Sequence, residues 1–152
     1  SSVDDPHHAA RATAQTWRGL SADPTLEHEG PMSEEAGRRL TQQMLQSSSP
    51  PTAIICGSIF LALGAYRALR ELGREPGRDI SVVAHDDLFR DLRASRFEPA
   101  LTATESSVRK AGERLAAILL AQIDDKAQTE PIQEIWPVEL VFRSSAGPVP
   151  GL

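Results

Sequence analysis

The sequence has little of what marks a secreted, membrane-spanning or nucleic-acid-binding chain. It contains a single cysteine, which excludes an internal disulfide, and no apolar run approaches the roughly 20 residues needed to cross a bilayer. The formal net charge is -5, so no overall positive field exists to hold a phosphate backbone. We therefore expect a cytoplasmic location, no membrane partner and no direct contact between this chain and nucleic acid.

What is present is an alternation of helix-like and strand-like segments. Hydrophobic residues make up 40% of the chain, which is enough for a core. Apolar residues at helical spacing predict helices over residues 10–17, 33–46, 61–72 and 107–123. Short apolar runs between turn residues predict strands over residues 52–56, 80–83, 101–104 and 139–142. A strand, a helix and a second strand in that order form a right-handed βαβ unit. The sequence therefore predicts an α/β fold with a parallel sheet flanked by helices.

Polar residues follow each of the first three predicted strands. In an open parallel sheet, ligands bind beyond the carboxyl ends of the strands, where loops and helix N-termini converge. Hydroxyl and carboxylate groups there suit a small polyhydroxylated or aminated ligand, because one carboxylate can accept two hydroxyl hydrogens. The clusters that meet in the predicted crevice are Gly57 and Ser58, then His85, Asp86 and Asp87, and finally Glu105, Ser106 and Ser107.

Each cluster also has a purely structural interpretation. Ser58 can cap a helix, and Asp86 and Asp87 can be turn residues that bind their own backbone. Three adjacent residues at 85–87 do not converge easily on one metal ion, and Cys56 lacks the GxSxG pattern of a nucleophile turn. We therefore predict no metal site, no cofactor and no catalysis. The lowest-ranked alternative is a small α/β enzyme with Asp86 as general base.

Four ordered motifs carry a family resemblance. Residues 50–72 read PPTAIICGSIFLALGAYRALREL, and residues 79–87 read DISVVAHDD where the family usually has DISVVGFDD. Residues 99–104 read PALTAT in place of PPLTT, and residues 140–143 read LVFR in place of LVVR. Through these motifs, the stretch 26–146 resembles the LacI/GalR family of bacterial transcriptional regulators.

The resemblance implies a periplasmic-binding-protein-like sensor of type I, built from two α/β subdomains with a cleft between them. It implies that residues 1–105 belong to the second subdomain, without that subdomain's first strand, and that residues 106–135 belong to the first subdomain. Residues 136–146 would be the return strand and residues 147–152 a flexible tail. The fold would then be incomplete, with the second subdomain as its main part.

The resemblance also implies an effector site. The first aspartate of the family's DD pair is retained as Asp86, whereas the family's Asn-Asp pair begins at Ser58 here and has an isoleucine in place of its aspartate. An arginine that often clamps the effector falls at Thr13, an aromatic cleft residue aligns with Met32, and Ser106 takes a further cleft position. These five residues are the expected effector contacts.

The implied function is that of the ligand-sensing and dimerisation region of a transcriptional regulator. A small-molecule effector, which would be a sugar, a nucleoside or a related metabolite, would control an N-terminal helix-turn-helix head that this chain lacks. The implied partners are that effector, a second copy in a homodimer, and operator DNA only through the head. The alternative is a periplasmic solute-binding protein of a transport system, which has the same fold and is marked by a signal peptide upstream.

Overall fold

The described residues, 24–124 and 132–148, form one four-stranded sheet with helices in a computed structural model of the chain. The strands are β1 (Ala53–Cys56), β2 (Ser81–Asp86), β3 (Thr102–Glu105) and β4 (Glu139–Val141). The α-helices are α1 (Glu34–Leu45), α2 (Ile59–Glu71) and α3 (Val108–Asp124), with single 3-10 turns at Pro24–Leu26 and Ala94–Arg96. The sheet order is β1-β2-β3-β4, with β1, β2 and β3 parallel and β4 antiparallel to β3.

This architecture confirms the predicted α/β class and the parallel order of the first three strands. It differs from the prediction at two places. β2 continues to Asp86, beyond the predicted end at residue 83, because its backbone keeps pairing with β3 as far as Glu105. β4 runs antiparallel to β3, so the sheet is mixed rather than wholly parallel. The helix predicted over residues 10–17 lies outside the described residues.

The hydrophobic core lies between the sheet and the pair of helices α1 and α2. Strand residues alternate between the two faces of the sheet, so Val82 and Ala84 of β2 are buried on the core side. In β1, Ile54 and Cys56 are buried, whereas Ile55 between them is 85% exposed on the opposite face. The buried residues that the helices and loops add to the core are Leu45, Ile59, Ala62, Ala65, Tyr66, Leu69, Ile80, Ala94, Phe97 and Leu101.

Two glycines let α1 and α2 approach each other closely. A Cβ atom at Gly37 would lie 2.2 Å from the Leu61 carbonyl oxygen, and a Cβ atom at Gly64 would lie 1.9 Å from the Glu34 carbonyl oxygen. Because a carbon and an oxygen atom that are not bonded cannot approach so closely, only glycine fits at this crossing without moving a helix.

A serine late in the chain joins β2 and β3 at their amino ends. Ser145 is fully buried, and its Oγ donates to the Val82 carbonyl oxygen at 2.6 Å and accepts from the Thr102 N–H at 2.8 Å. Two residues later, the Gly147 N–H donates to the Ser81 hydroxyl oxygen at 3.1 Å. Hydrogen bonds thus hold Gly147 to β2, and the flexible tail expected over residues 147–152 stays a prediction. Residues 149–152 lie outside the described part.

Helix α3 has an apolar stripe that contacts no core. None of its described side chains is buried, and the stripe consists of Val108, Leu115, Leu119, Leu120 and Ile123, all at least half exposed. α3 thus leaves the sheet, which agrees with a segment that packs on another subdomain, although that assignment stays a prediction. In residues 24–124 and 132–148, no helix combines the length and apolar character of a membrane span.

We predict that Gly64→Ala destabilises the chain strongly. The added methyl group forces α1 and α2 apart, and such overpacking costs about 1–3 kcal/mol of unfolding free energy, or more. Urea denaturation followed by circular dichroism measures this loss. The matched control is Gly112→Ala in α3, where a Cβ atom would meet nothing within 4 Å. It should not lower stability, because alanine is the better helix former. Equal midpoints for the two variants would contradict the close helix crossing.

We also predict that Cys56 resists thiol reagents in the folded chain. Burial raises the pKa of the Cys56 thiol to about 12, so almost none of it is thiolate at pH 8. Ellman's reagent should react slowly with the native chain and rapidly after urea is added. Reaction of the native chain at the unfolded rate would show that Cys56 is accessible and not a core residue.

Candidate functional site

The carboxyl ends of β1, β2 and β3 meet at one edge of the sheet, which is called the carboxyl edge below. Cys56 is in register with Ala84, and Asp86 is in register with Glu105. Ser58, two residues after Cys56, therefore follows β1 at about the level where Asp86 ends β2. The Ser106 N–H donates to the Asp86 carbonyl oxygen at 3.1 Å. The structure thus confirms that the three predicted strands lie side by side and bring their trailing polar residues to one edge.

Asp86 at the end of β2 is 1% exposed, and both of its carboxylate oxygens accept backbone hydrogen bonds. Oδ1 accepts from the Leu88 N–H at 2.8 Å, and Oδ2 accepts from the Ala94 N–H at 2.8 Å. Leu88 has a φ angle of 58°, which lies in the left-handed region. This conformation is unfavourable for any residue that has a side chain. The Asp86 carboxylate therefore organises the loop that follows β2, and it holds that loop in a conformation that the backbone alone disfavours.

Ser58 is placed as a helix cap but does not act as one through its side chain. It is the N-cap residue of α2 in an extended conformation, yet its hydroxyl makes no capping hydrogen bond. The residue is 3% exposed, and its Oγ is buried with no hydrogen-bond partner among the residues described. Leaving a buried hydroxyl unpaired costs about 1–3 kcal/mol. Capping therefore does not explain why a polar side chain lies here.

Met32 lies just before α1, whose N-cap is Ser33. Helices α1 and α2 run in the same direction, since Glu34 at the start of α1 lies against Gly64, and Gln42 near its end donates to Glu71 at the end of α2 at 2.8 Å. Both helices therefore begin on the side of the carboxyl edge. Met32 is 72% exposed there, so its thioether is free to contact another molecule. Thr13 lies outside the described residues.

A histidine of this edge was placed by the sequence in the predicted crevice but was not among the five expected effector contacts. His85 precedes Asp86 in β2 but points to the opposite face of the sheet, because strand residues alternate. Its Nδ1 lies 2.9 Å from the Thr104 hydroxyl oxygen, and its Nε2 lies 2.9 Å from the Ser106 hydroxyl oxygen. The signal that could have found it is the histidine in DISVVAHDD, where the resemblance leads one to expect an aromatic residue.

Glu105, the last residue of β3, has its charge balanced within the sheet. The Arg143 guanidinium forms an ion pair with the Glu105 carboxylate, and the same guanidinium donates to the Leu101 carbonyl oxygen at 2.9 Å. Both members of the pair are mostly buried. Because this pair is internal and the Asp86 carboxylate is covered, Asp87 is the carboxylate of this edge that faces solvent most freely.

The sequence matches the periplasmic binding protein-like domain family over residues 2–146. It is 44% identical over 140 residues to the HTH-type transcriptional regulator AglR of Rhizobium meliloti, covering 92% of this chain and 38% of AglR. The chain therefore spans about two fifths of the length of that relative.

Two solved structures have the same fold. The lac repressor dimer bound to operator and the anti-inducer ONPF superimposes with a TM-score of 0.77 at 33% identity, covering 92% of this chain and 46% of that one. The complex of the transcriptional regulator CelR with cellobiose superimposes with a TM-score of 0.77 at 26% identity, covering 88% of this chain and 40% of that one. The chain therefore belongs to the periplasmic binding protein-like domain family, and it is similar in sequence and fold to regulators such as AglR and the lac repressor.

Proposed function

We propose that this chain is the effector-sensing part of a LacI-type transcriptional regulator, in which a small molecule binds at the carboxyl edge. The observation that carries the proposal is the meeting of Ser58, Asp86 and Ser106 at the ends of neighbouring strands in a chain of this family. Met32 and Thr13 complete the proposed contacts. Nothing in this function requires a bond to be made or broken, so we propose binding rather than catalysis.

The site is one wall of a cleft, and α3 supports the second wall. The polypeptide leaves the carboxyl edge directly after Ser106, and α3 then carries an apolar stripe that the described residues leave exposed. Such a stripe stabilises a fold only when another apolar surface covers it. We propose that residues 106–135 pack into the first subdomain. An effector that contacts both subdomains would then favour the closed cleft over the open one.

Asp86 has a double role in this proposal. An ionised carboxylate has about four acceptor positions, and the two backbone N–H groups at 2.8 Å take one on each oxygen. One position on each oxygen remains for a ligand hydroxyl, which reaches it only when the loop that covers this 1% exposed side chain moves aside. The Ser58 hydroxyl, which has no partner among the described residues, is the natural second contact, because a polar ligand atom would satisfy it.

A hydroxyl-rich effector suits these groups better than an apolar one. The carboxyl edge presents carboxylates and hydroxyls, and a sugar supplies several hydroxyl groups that donate and accept at once. CelR was solved with cellobiose, and another LacI family regulator, from Enterococcus faecium, with ribose. We therefore rank sugars first, with nucleosides as the second class of effector.

We further propose that the regulator acts as a cytoplasmic homodimer and binds operator DNA through a separate helix-turn-helix head. The chain covers 38% of AglR, which leaves ample length for a head and for the rest of the first subdomain. A transport receptor of the periplasm has the same type of domain. The relatives favour regulation, since AglR is named as an HTH-type regulator and the lac repressor was solved on its operator.

A thermal-shift screen of the full-length protein tests the proposed function. The panel holds mono- and disaccharides, including cellobiose and ribose, together with nucleosides and amino acids. A specific ligand at a hundred times its dissociation constant should stabilise the folded state by about 2.7 kcal/mol. The same ligand should change the affinity of the protein for its operator. A ligand that binds but never alters DNA binding would support the transport receptor instead.

Substitution of Asp86 should cost both stability and binding. Asp86→Ala leaves two backbone N–H groups without their acceptor, and we expect a loss of about 3 kcal/mol in unfolding free energy, measured by urea denaturation. The matched control is Asp91→Ala in the same loop, where the carboxylate is exposed and the expected loss is below about 0.5 kcal/mol.

Asp86→Asn separates the two effects, because the amide keeps one acceptor oxygen and the volume of the side chain. It should fold at a lower denaturant midpoint and bind the screened sugar at least tenfold more weakly. Full affinity in a folded Asp86→Asn protein would show that Asp86 is not an effector contact. Its role would then be limited to the hydrogen bonds that hold the loop after β2.

A further inference from the structure

The loop after β2 is attached to the fold less firmly at its start than further along. The Leu88 N–H donates to Asp86 Oδ1 at 2.8 Å through a hydrogen bond that is only partly buried. The Ala94 N–H donates to Asp86 Oδ2 at 2.8 Å through a buried one. Ala94 itself is 0% exposed, and its carbonyl oxygen accepts from the Leu101 N–H at 3.0 Å. Oδ2 is therefore bound to the core, whereas Oδ1 is bound to a segment at the rim.

Leu88 is held at this rim against the preference of its own backbone. In residues 24–124 and 132–148, it is the one residue other than glycine with a positive φ angle. The left-handed region is unfavourable for leucine, because the Cβ atom comes too close to the following carbonyl oxygen. The next side chain, Phe89, packs with its ring centroid 5.6 Å from that of Phe60, which is 38% exposed. The hydrogen bond to Asp86 and this packing near the surface offset the strain at Leu88.

The Asp86 carboxylate has no room for a ligand while Leu88 covers it. The side chain is 1% exposed, so a ligand that reaches it has to displace one of the two backbone donors. Displacing the Ala94 N–H would disturb the core, whereas displacing the Leu88 N–H relieves an unfavourable φ angle. A ligand O–H or N–H that takes the place of the Leu88 N–H on Oδ1 makes a hydrogen bond to the same charged acceptor. The replacement therefore conserves the hydrogen bonding of the carboxylate and removes strain.

We propose that Leu88 is a positioning residue that controls access to the Asp86 carboxylate. In the covered form, the Leu88 N–H occupies Oδ1 and residue 88 is left-handed. In the uncovered form, residue 88 has ordinary backbone angles, its N–H bonds to water, and Oδ1 accepts from a ligand, while the Ala94 N–H keeps Oδ2. The apparent affinity for the effector then depends on the fraction of molecules in the uncovered form. This inference rests on the proposed function, because the ligand is the effector of the same site.

Hydrogen–deuterium exchange in the full-length protein tests the two attachments separately. Mass spectrometry with fragmentation to single residues measures each amide, and the rates are corrected for intrinsic exchange. Without ligand, the Leu88 amide should exchange at least about tenfold faster than the Ala94 amide. With cellobiose or ribose bound, the Leu88 amide should exchange faster still, whereas the Ala94 amide stays protected. A sugar that merely covered a rigid site would slow exchange at both residues.

Two substitutions should shift the balance between the forms in opposite directions. Leu88→Asn favours the covered form, because asparagine tolerates the left-handed region, and sugar affinity should fall about threefold to tenfold. Leu88→Ile favours the uncovered form, because a β-branched side chain is disfavoured there, and affinity should rise by a similar factor. Isothermal titration calorimetry measures both changes, and circular dichroism verifies folding. A residue that only supported the fold would not bind the sugar more tightly after the isoleucine substitution.

The matched controls are Arg90→Asn and Arg90→Ile in the same loop. Arg90 is exposed and its φ angle is not positive, so neither control should change the affinity or the exchange at residue 88 by more than about twofold. If exchange at residue 88 slows in Leu88→Asn and speeds up in Leu88→Ile but neither sugar binds, the control by Leu88 stands and the proposed sugar effector falls. If a sugar binds but slows exchange at residue 88, or if both Leu88 variants keep the original exchange rate, this proposal is overturned while the proposed function stands.

Discussion

The parallel register of β1, β2 and β3 is the constraint on which the candidate site depends. Because the three strands point the same way, the residues that leave them emerge at one edge, and a site forms there from segments far apart in sequence. That edge has little regular structure of its own. Hydrogen bonds from strand residues hold it instead, above all those of the Asp86 carboxylate to the Leu88 and Ala94 N–H groups.

The sequence was sufficient for the elements that local periodicity specifies. The stripe of α2 and the apolar runs of β1 and β2 have the periods of a helix and of buried strands, and short-range sterics fix those periods. The order strand, helix, strand then determines parallel pairing, since such connections have a fixed hand. Because parallel strands end at the same edge of the sheet, the residues that follow them lie near each other. The sequence therefore placed Ser58 and Asp86 at the same edge, as the structure does.

The sequence could not specify contacts that join distant residues. The sequence around Ser145 does not show that this residue joins β2 to β3, because its partners Val82 and Thr102 lie 63 and 43 residues away. The direction of β4 depends on how the chain returns after α3, which periodicity does not record. The bonds of His85 to Ser106 and Thr104 likewise require β2 and β3 to be paired first. Polar residues at strand ends were therefore found as a group, whereas their individual hydrogen bonds were not.

The buried position of Ser145 has a consequence for the order in which the sheet is completed during synthesis. Residues 144–147 follow all four strands along the chain, yet they supply the partners of backbone groups at the beginning of β2 and β3. While these residues are still inside the ribosome, the hydrogen bonds of Ser145 to Val82 and Thr102 cannot form. The two central strands are then not yet joined at their amino ends. Translation thus has to pass this point before the domain can reach its final rigidity.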